Sequence, residues 1–209
     1  PRDVFRNLGF KINPIAIGPA GLHLNALQAS PSTVVYITPS HQMPLGYVMP
    51  VARRLQLISW AEQGDRLIIE DDYDSELRYT GRPISSLQGL SPHSNIIYQG
   101  SFSKVFSPTL RLSYMVLPKG LAEAYRQKFQ NYLSPVPLLL QRAAIAFMER
   151  GHWEQHLRRA QIFYKKKLGI MLQAIETHFG NRATVVGQGA HLHIVLELAE
   201  GLKDKTVFN

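Results

Sequence analysis

The chain has 209 residues, 45% hydrophobic and 18% charged, with a formal net charge of +8 and no cysteine. That length can bury about 70% of the unfolded surface, so one substantial core with a smaller appendage is expected, and the unbiased composition excludes a disordered chain. The absence of cysteine excludes disulfides and cysteine-based zinc sites and fits a cytoplasmic location, while no apolar run approaches the ~20 residues of a membrane helix.

The opening stretch "PRDVFRNLGFKINP" holds neither an apolar signal core nor an initiator methionine, so the chain reads as a piece of something longer. Four short, apolar, β-branched segments bounded by turn residues then read as buried strands: "TVVYIT" (33–38), "RLIIE" (66–70), "NIIYQG" (95–100) and "LSYMVL" (112–117). Between the first two, "PVARRLQLISWAEQG" begins on Pro50 and stops at Gly64, with Val51, Leu55, Ile58 and Ala61 as its apolar positions. The result is a βαβ unit, which requires a parallel pair with a right-handed crossover.

After Pro118 the pattern turns helical, over 120–133, 137–149 and 152–179, before a strand-like "HLHIVLEL" at 191–198. In the longest helix Trp153, Leu157, Ala160, Tyr164, Leu168, Met171 and Ile175 recur every three or four residues and make one apolar stripe. Arg158, Arg159, Lys165, Lys166 and Lys167 fall off the stripe, so a solvated face accounts for the densest positive run. The alternative, a nucleic-acid surface, requires salt-sensitive binding of duplex. The organisation expected is an α/β large domain over 1–150, with a mostly parallel sheet and helices on both faces. Residues 151–209 then form a connecting helix and the start of a small α+β lobe.

Ligands of open α/β sheets bind beyond the carboxyl ends of the strands. Here "VVYIT" runs into "PSHQMPLG", "RLIIE" into "DDYDSE" and "NIIYQG" into "SFSK". Singly these residues are bland: Lys104 a surface lysine, Arg111 an ion-pair partner, Asp71 and Asp72 turn carboxylates or caps. Together they match the needs of pyridoxal phosphate. A lysine amine condenses with the aldehyde as a Schiff base, a carboxylate keeps the pyridine nitrogen protonated, and an arginine with serine hydroxyls holds the phosphate. Opposite charges ~4 Å apart at an effective dielectric of ~20 attract by about 4 kcal/mol, enough to hold a pyridinium. Desolvation of Lys104 beside cationic Arg111 would favour its neutral, nucleophilic form. His191 and His193 alternate on the last strand, but no third ligand has metal-site spacing, so no metal is expected. Arg78 and Tyr79 read as surface and packing residues.

The stretches "IIEDDYDSELRYTGRPISSLQGL" and "NIIYQGSFSKVFSPTLRLSYMVLP" resemble the aminotransferase-like domain of the MocR/GabR group of GntR-type transcription regulators, which are fold-type I pyridoxal phosphate proteins related to class I/II aminotransferases. The likeness includes "TPSHQMPLG" and "GHWEQHLRRAQIFYKKK", and "EDDYDSE" separates this group from most plain aminotransferases. The resemblance implies Lys104 as the Schiff-base lysine, Arg111 with Ser101 and Ser103 at the phosphate, Asp71 facing the pyridine nitrogen and Tyr73 at the ring oxygen. Asp71 and Tyr73 share strand parity and Asp72 opposes them, unless a turn directly after Glu70 reverses the choice. His41 or Gln42 is expected near the cofactor edge. The family's winged helix-turn-helix domain, glycine-containing phosphate loop and ring-stacking aromatic have no counterpart here, and its substrate-carboxylate arginine comes after the last residue. The resemblance therefore implies an internal portion of a longer regulator.

The function expected is sensing of a small amine or amino-acid effector, or of the cofactor itself, by a homodimeric domain whose parent touches DNA through the helix-turn-helix. The rival is a working aminotransferase, in which Lys104 also shuttles a proton. Sustained keto-acid production separates the two.

Overall fold

The computed structural model describes residues 1–79, 83–93, 95–186 and 192–199. The chain opens with α1 (Arg2–Asn7), a short antiparallel ribbon of β1 (Ile17–Gly18) and β2 (Gly21–Leu22), and α2 (Leu24–Gln28). The sheet follows as β3 (Val34–Ile37), α3 (Val51–Glu62), β4 (Leu67–Asp72), α4 (Leu87–Leu90), β5 (Ile96–Ser101) and β6 (Ser113–Val116). Helices α5 (Lys119–Phe129), α6 (Leu138–Glu149) and α7 (His152–Phe179) lead to the antiparallel pair β7 (Ala183–Val186) and β8 (Val195–Leu198).

Among the described residues the main sheet has the order β3-β4-β5-β6. The first three strands run parallel and β6 returns antiparallel to β5. Branched side chains on one face, Val35, Ile37, Ile68 and Ile96, pack against Leu57, Ile58, Trp60 and Ala61 of α3, Leu24 and Leu27 of α2 and Leu87 of α4. This fold is α/β, with a mostly parallel sheet whose strand ends present polar residues together, as the βαβ reading requires.

Two expectations need correction. The buried face of α3 is Arg54, Leu57, Ile58, Trp60 and Ala61, while Val51 and Leu55 are exposed. Arg54 holds this place because it donates to the carbonyls of Met49 at 3.1 Å, Ser85 at 3.0 Å and Pro39 at 3.0 Å and lies 3.7 Å from Glu70. Glu70 in turn accepts the N–H groups of Leu87 at 2.9 Å and Gln88 at 3.1 Å, so both buried charges are satisfied. The second correction concerns β6, which is exposed along its whole length. It is the edge of the sheet, and among the described residues no strand pairs with its outer side.

The apolar stripe of α7 is half-buried or buried except at Met171, and the five cations beside it are exposed. Helix α5 ends at Phe129 rather than 133, and the last strand begins at Val195, not 191; His191 lies outside the described residues. No helix among the described residues is long and apolar enough to cross a membrane.

Candidate functional site

The register sets the site. Asp71 pairs with Gln99 and Ser101 with Ser113, so the ends of β4 and β5 and the beginning of β6 share one edge of the sheet. Because β6 runs back, Arg111 returns to the edge from which Lys104 departs. Phe102 closes the loop between them by donating its N–H to the Leu112 carbonyl at 3.0 Å. Inside the loop Ser107 caps the turn Pro108–Leu110, and Arg111 takes a left-handed backbone, φ 47° and ψ 36°. A residue with a Cβ is uncommon there, and such positions cluster at functional sites.

The lysine loop is clamped from below by α6 and α7. Phe106 stacks on Trp153 with centroids 5.9 Å apart and meets Phe147 edge-on at 4.9 Å. His156 lies with Nε2 2.7 Å from the Val105 carbonyl, which makes that nitrogen the donor. Five residues further along α7, Gln161 donates to the Glu76 carbonyl at 2.7 Å, so one helix holds both the lysine loop and the turn after β4. Lys104 and Ser103 open onto a cleft of about 730 Å³ whose walls include Phe106, His156, Arg159 and Tyr164.

Lys104 Nζ lies over the Tyr73 ring, 5.8 Å from its centroid. Ser103 donates its N–H to Ser101 Oγ at 3.2 Å, which brings the two serines together at the foot of the loop. Asp71, half-buried, accepts from the Tyr36 hydroxyl of β3. Strand β4 continues through Asp72, so no turn intervenes after Glu70; Asp72 occupies the opposite face and accepts from the Tyr98 hydroxyl at 3.0 Å. One expectation is not met: Lys104 is exposed rather than desolvated. Arg111 is also exposed and forms no ion pair among the described residues, so the bland reading of it as an ion-pair partner finds no support there.

Sequence reasoning missed three groups at this edge: Tyr36, Tyr98 and Asp74. Tyr36 and Tyr98 sit inside apolar strands and look like packing residues. Burial and the adjacent Asp71 push the Tyr36 hydroxyl upward, and burial with Asp72 does the same to Tyr98, so both stay neutral donors. The Tyr73 hydroxyl is likewise raised, by burial first and then by Asp74, Asp71 and Asp72. Tyr79 is pushed up to about 12, chiefly by burial, in keeping with a packing role. No group of three metal-ligating side chains occurs among the described residues.

The sheet order, the strand-end polar groups and the lysine loop define a fold-type I, aminotransferase-like domain. No family model matches the sequence. It is 38% identical over 94% of its length to the HTH-type transcriptional regulator YdeL of Bacillus subtilis and 32% identical over 96% to the probable rhizopine catabolism regulatory protein MocR of Rhizobium meliloti. It spans 42% and 41% of those relatives. Among solved structures it superposes on the α-aminoadipate aminotransferase LysN of Thermus thermophilus, complexed with N-(5'-phosphopyridoxyl)-L-leucine, with a TM-score of 0.83 and 27% identity, covering 98% of this chain and 54% of that one. Within its class the chain is a MocR-like aminotransferase-like domain.

Proposed function

We propose that this chain binds pyridoxal 5'-phosphate covalently at Lys104 and serves as the effector-sensing part of a transcription regulator. The observation that carries the reading is the meeting of Lys104 with Tyr73 at a strand-end edge that also bears Asp71, Ser101, Ser103 and Arg111. An accessible amine, a phenol, a carboxylate, two hydroxyls and a guanidinium fit the cofactor's aldehyde, ring oxygen, ring nitrogen and phosphate in turn. When bound, the cofactor supplies an electrophilic carbon and an electron-withdrawing ring.

The residues of this chain then divide the work. Lys104 provides the nucleophilic amine, and its exposure leaves it open to an incoming effector amine. The charge of Asp71 would hold a proton on the ring nitrogen, with Tyr36 orienting that carboxylate. Tyr73, kept neutral by burial and the nearby carboxylates, would donate to the ring oxygen. Arg111, at its left-handed turn, would join Ser101 and Ser103 in holding the phosphate. Residues 1–150 supply part of the cofactor-binding domain, and 151–209 the connecting helix with the start of a small lobe. A homodimer, and DNA contact through a domain outside this chain, complete the regulator reading. An effector that favours one conformation shifts the population and thereby the DNA-bound state.

The test adds pyridoxal phosphate to the chain, reduces with borohydride and maps the adduct. A phosphopyridoxyl group on Lys104 that Lys104→Ala lacks supports the site. Labelling elsewhere, or none, overturns it. A second reading, a turning-over aminotransferase, is favoured by the aminotransferases among the solved structures it superposes on. Continuous keto-acid release from an added amino acid would establish that reading, whereas binding without release supports the sensor.

A further inference from the structure

His41 and Asp74 are buried side by side, each with a side chain 1% exposed, in the two loops that flank Tyr73. His41 Nδ1 lies 3.0 Å from Asp74 Oδ2 and 3.1 Å from the Tyr73 hydroxyl. The same hydroxyl is 3.1 Å from His41's own carbonyl and 3.8 Å from Met43 Sδ. The His193 ring covers the imidazole at 4.7 Å. An ionised carboxylate can only accept, so the proton between Asp74 and His41 sits on Nδ1. That N–H also points at the tyrosine oxygen, which accepts from it. With no cofactor bound the tyrosine's own proton goes to the His41 carbonyl; a ring oxygen of the cofactor would replace that carbonyl as acceptor, while the Nδ1–H contact stays. Apart from the long contact to the Met43 sulfur, the phenol is therefore fixed by one residue, and that residue is oriented by a buried acid.

We propose that His41 is a positioning residue: Asp74 locks its imidazole as the Nδ1–H tautomer, and this N–H with the His41 carbonyl holds the Tyr73 hydroxyl beside Lys104. The inference rests on the reading of Tyr73 and Lys104 as cofactor residues. A dyad kept only for packing would be replaceable by apolar groups of the same volume, since burying it away from water costs free energy that the pairing merely offsets. What the dyad adds is direction. Its loss leaves the ring packed against Lys104 but frees the oxygen, which a cofactor oxygen must then recruit from a range of positions.

Two measurements test this. In the chain labelled with 15N-histidine and free of cofactor, the His41 ring nitrogens, assigned by their loss in His41→Asn, report a proton on Nδ1, and Asp74→Ala shifts the population towards Nε2–H. In pyridoxal phosphate titrations, His41→Phe, which keeps a ring without an N–H, binds about tenfold more weakly than wild type, whereas His41→Asn, whose amide replaces Nδ1–H, stays within about threefold. A wild-type His41 protonated on Nε2 alone overturns the proposal, and so does equal affinity in the Phe and Asn variants. If the wild-type chain takes up no cofactor at Lys104, the reading of the site falls, and the tautomer in the cofactor-free chain still decides whether Asp74 locks His41.

Discussion

Asp72 is 6% exposed and accepts from Tyr98 through Oδ2; Asp71 stands half-buried on the other face against Tyr36. The two carboxylates are neighbours in the chain with different environments because successive side chains of a strand alternate. That alternation was legible in "EDDYDSE"; the tyrosines that receive each carboxylate were not, because cross-strand partners depend on register. Burial pushes the Asp72 carboxyl up, helped by the charge of Asp74 and opposed by Ser75 and Tyr98. A carboxyl raised in the folded state favours the protonated form, so its stabilising contribution is full below the ordinary aspartate range and lost as pH rises through the folded value. Asp72→Asn, neutral throughout, is therefore expected to raise stability near neutrality by about 1 kcal/mol, with the gain vanishing below pH ~4. Urea unfolding at both pH values checks this, and an equal gain at each would assign the effect to something other than charge. Cofactor affinity should change little in this variant, in contrast to Asp71→Asn.

At the scale of elements, β5 and β6 depend on a glycine. A Cβ on Gly100 would lie 2.4 Å from Tyr114 Cζ and 2.5 Å from its hydroxyl, closer than atoms can approach, because Gly100 and Tyr114 are cross-strand partners. Tyr114 lies across the glycine between Tyr98, 6.1 Å away by centroids, and Phe102, 5.4 Å away. Gly100→Ala must displace that ring, at an expected cost of about 1–2 kcal/mol. In a Tyr114→Ala background the same substitution should cost almost nothing, and a double-mutant cycle by denaturant unfolding measures the difference. A cost that survives the removal of Tyr114 would place the strain in the backbone instead. The strands β3 to β5 were legible because parallel strands read as short β-branched apolar runs between turn residues. The exposure of β6 was not, since "LSYMVL" has the same composition and differs only in what lies beside it. Nor was the buried face of α3 legible, because Arg54 is counted as polar while three carbonyls and Glu70 in fact hold it in the core.

At the scale of the whole molecule, the helices after the sheet leave large apolar side chains in water. Leu133, Leu139 and Ile162 are 96%, 78% and 71% exposed, and Met115 on the open strand is 46% exposed. Scattered apolar residues are ordinary on a surface, but here they recur on α6, α7 and the edge strand of one chain. An open edge also offers unpaired backbone groups to another chain. The chain of 23.6 kDa is therefore expected to bind a hydrophobic dye and to sediment above its monomer mass at micromolar concentration. Its net charge of +8 opposes this association through mutual repulsion. Added salt screens that repulsion over a Debye length of about 10 Å at 0.1 M, so association driven by apolar burial strengthens with salt, whereas association through ion pairs weakens. Sedimentation across a salt series separates the two. Leu139→Lys with Ile162→Lys should shift the population to monomer and reduce dye binding while leaving the far-ultraviolet signal intact, since neither side chain contributes to the core cluster. A monomer at every concentration and salt, with no dye bound, would show that these faces are tolerated in water and need no cover.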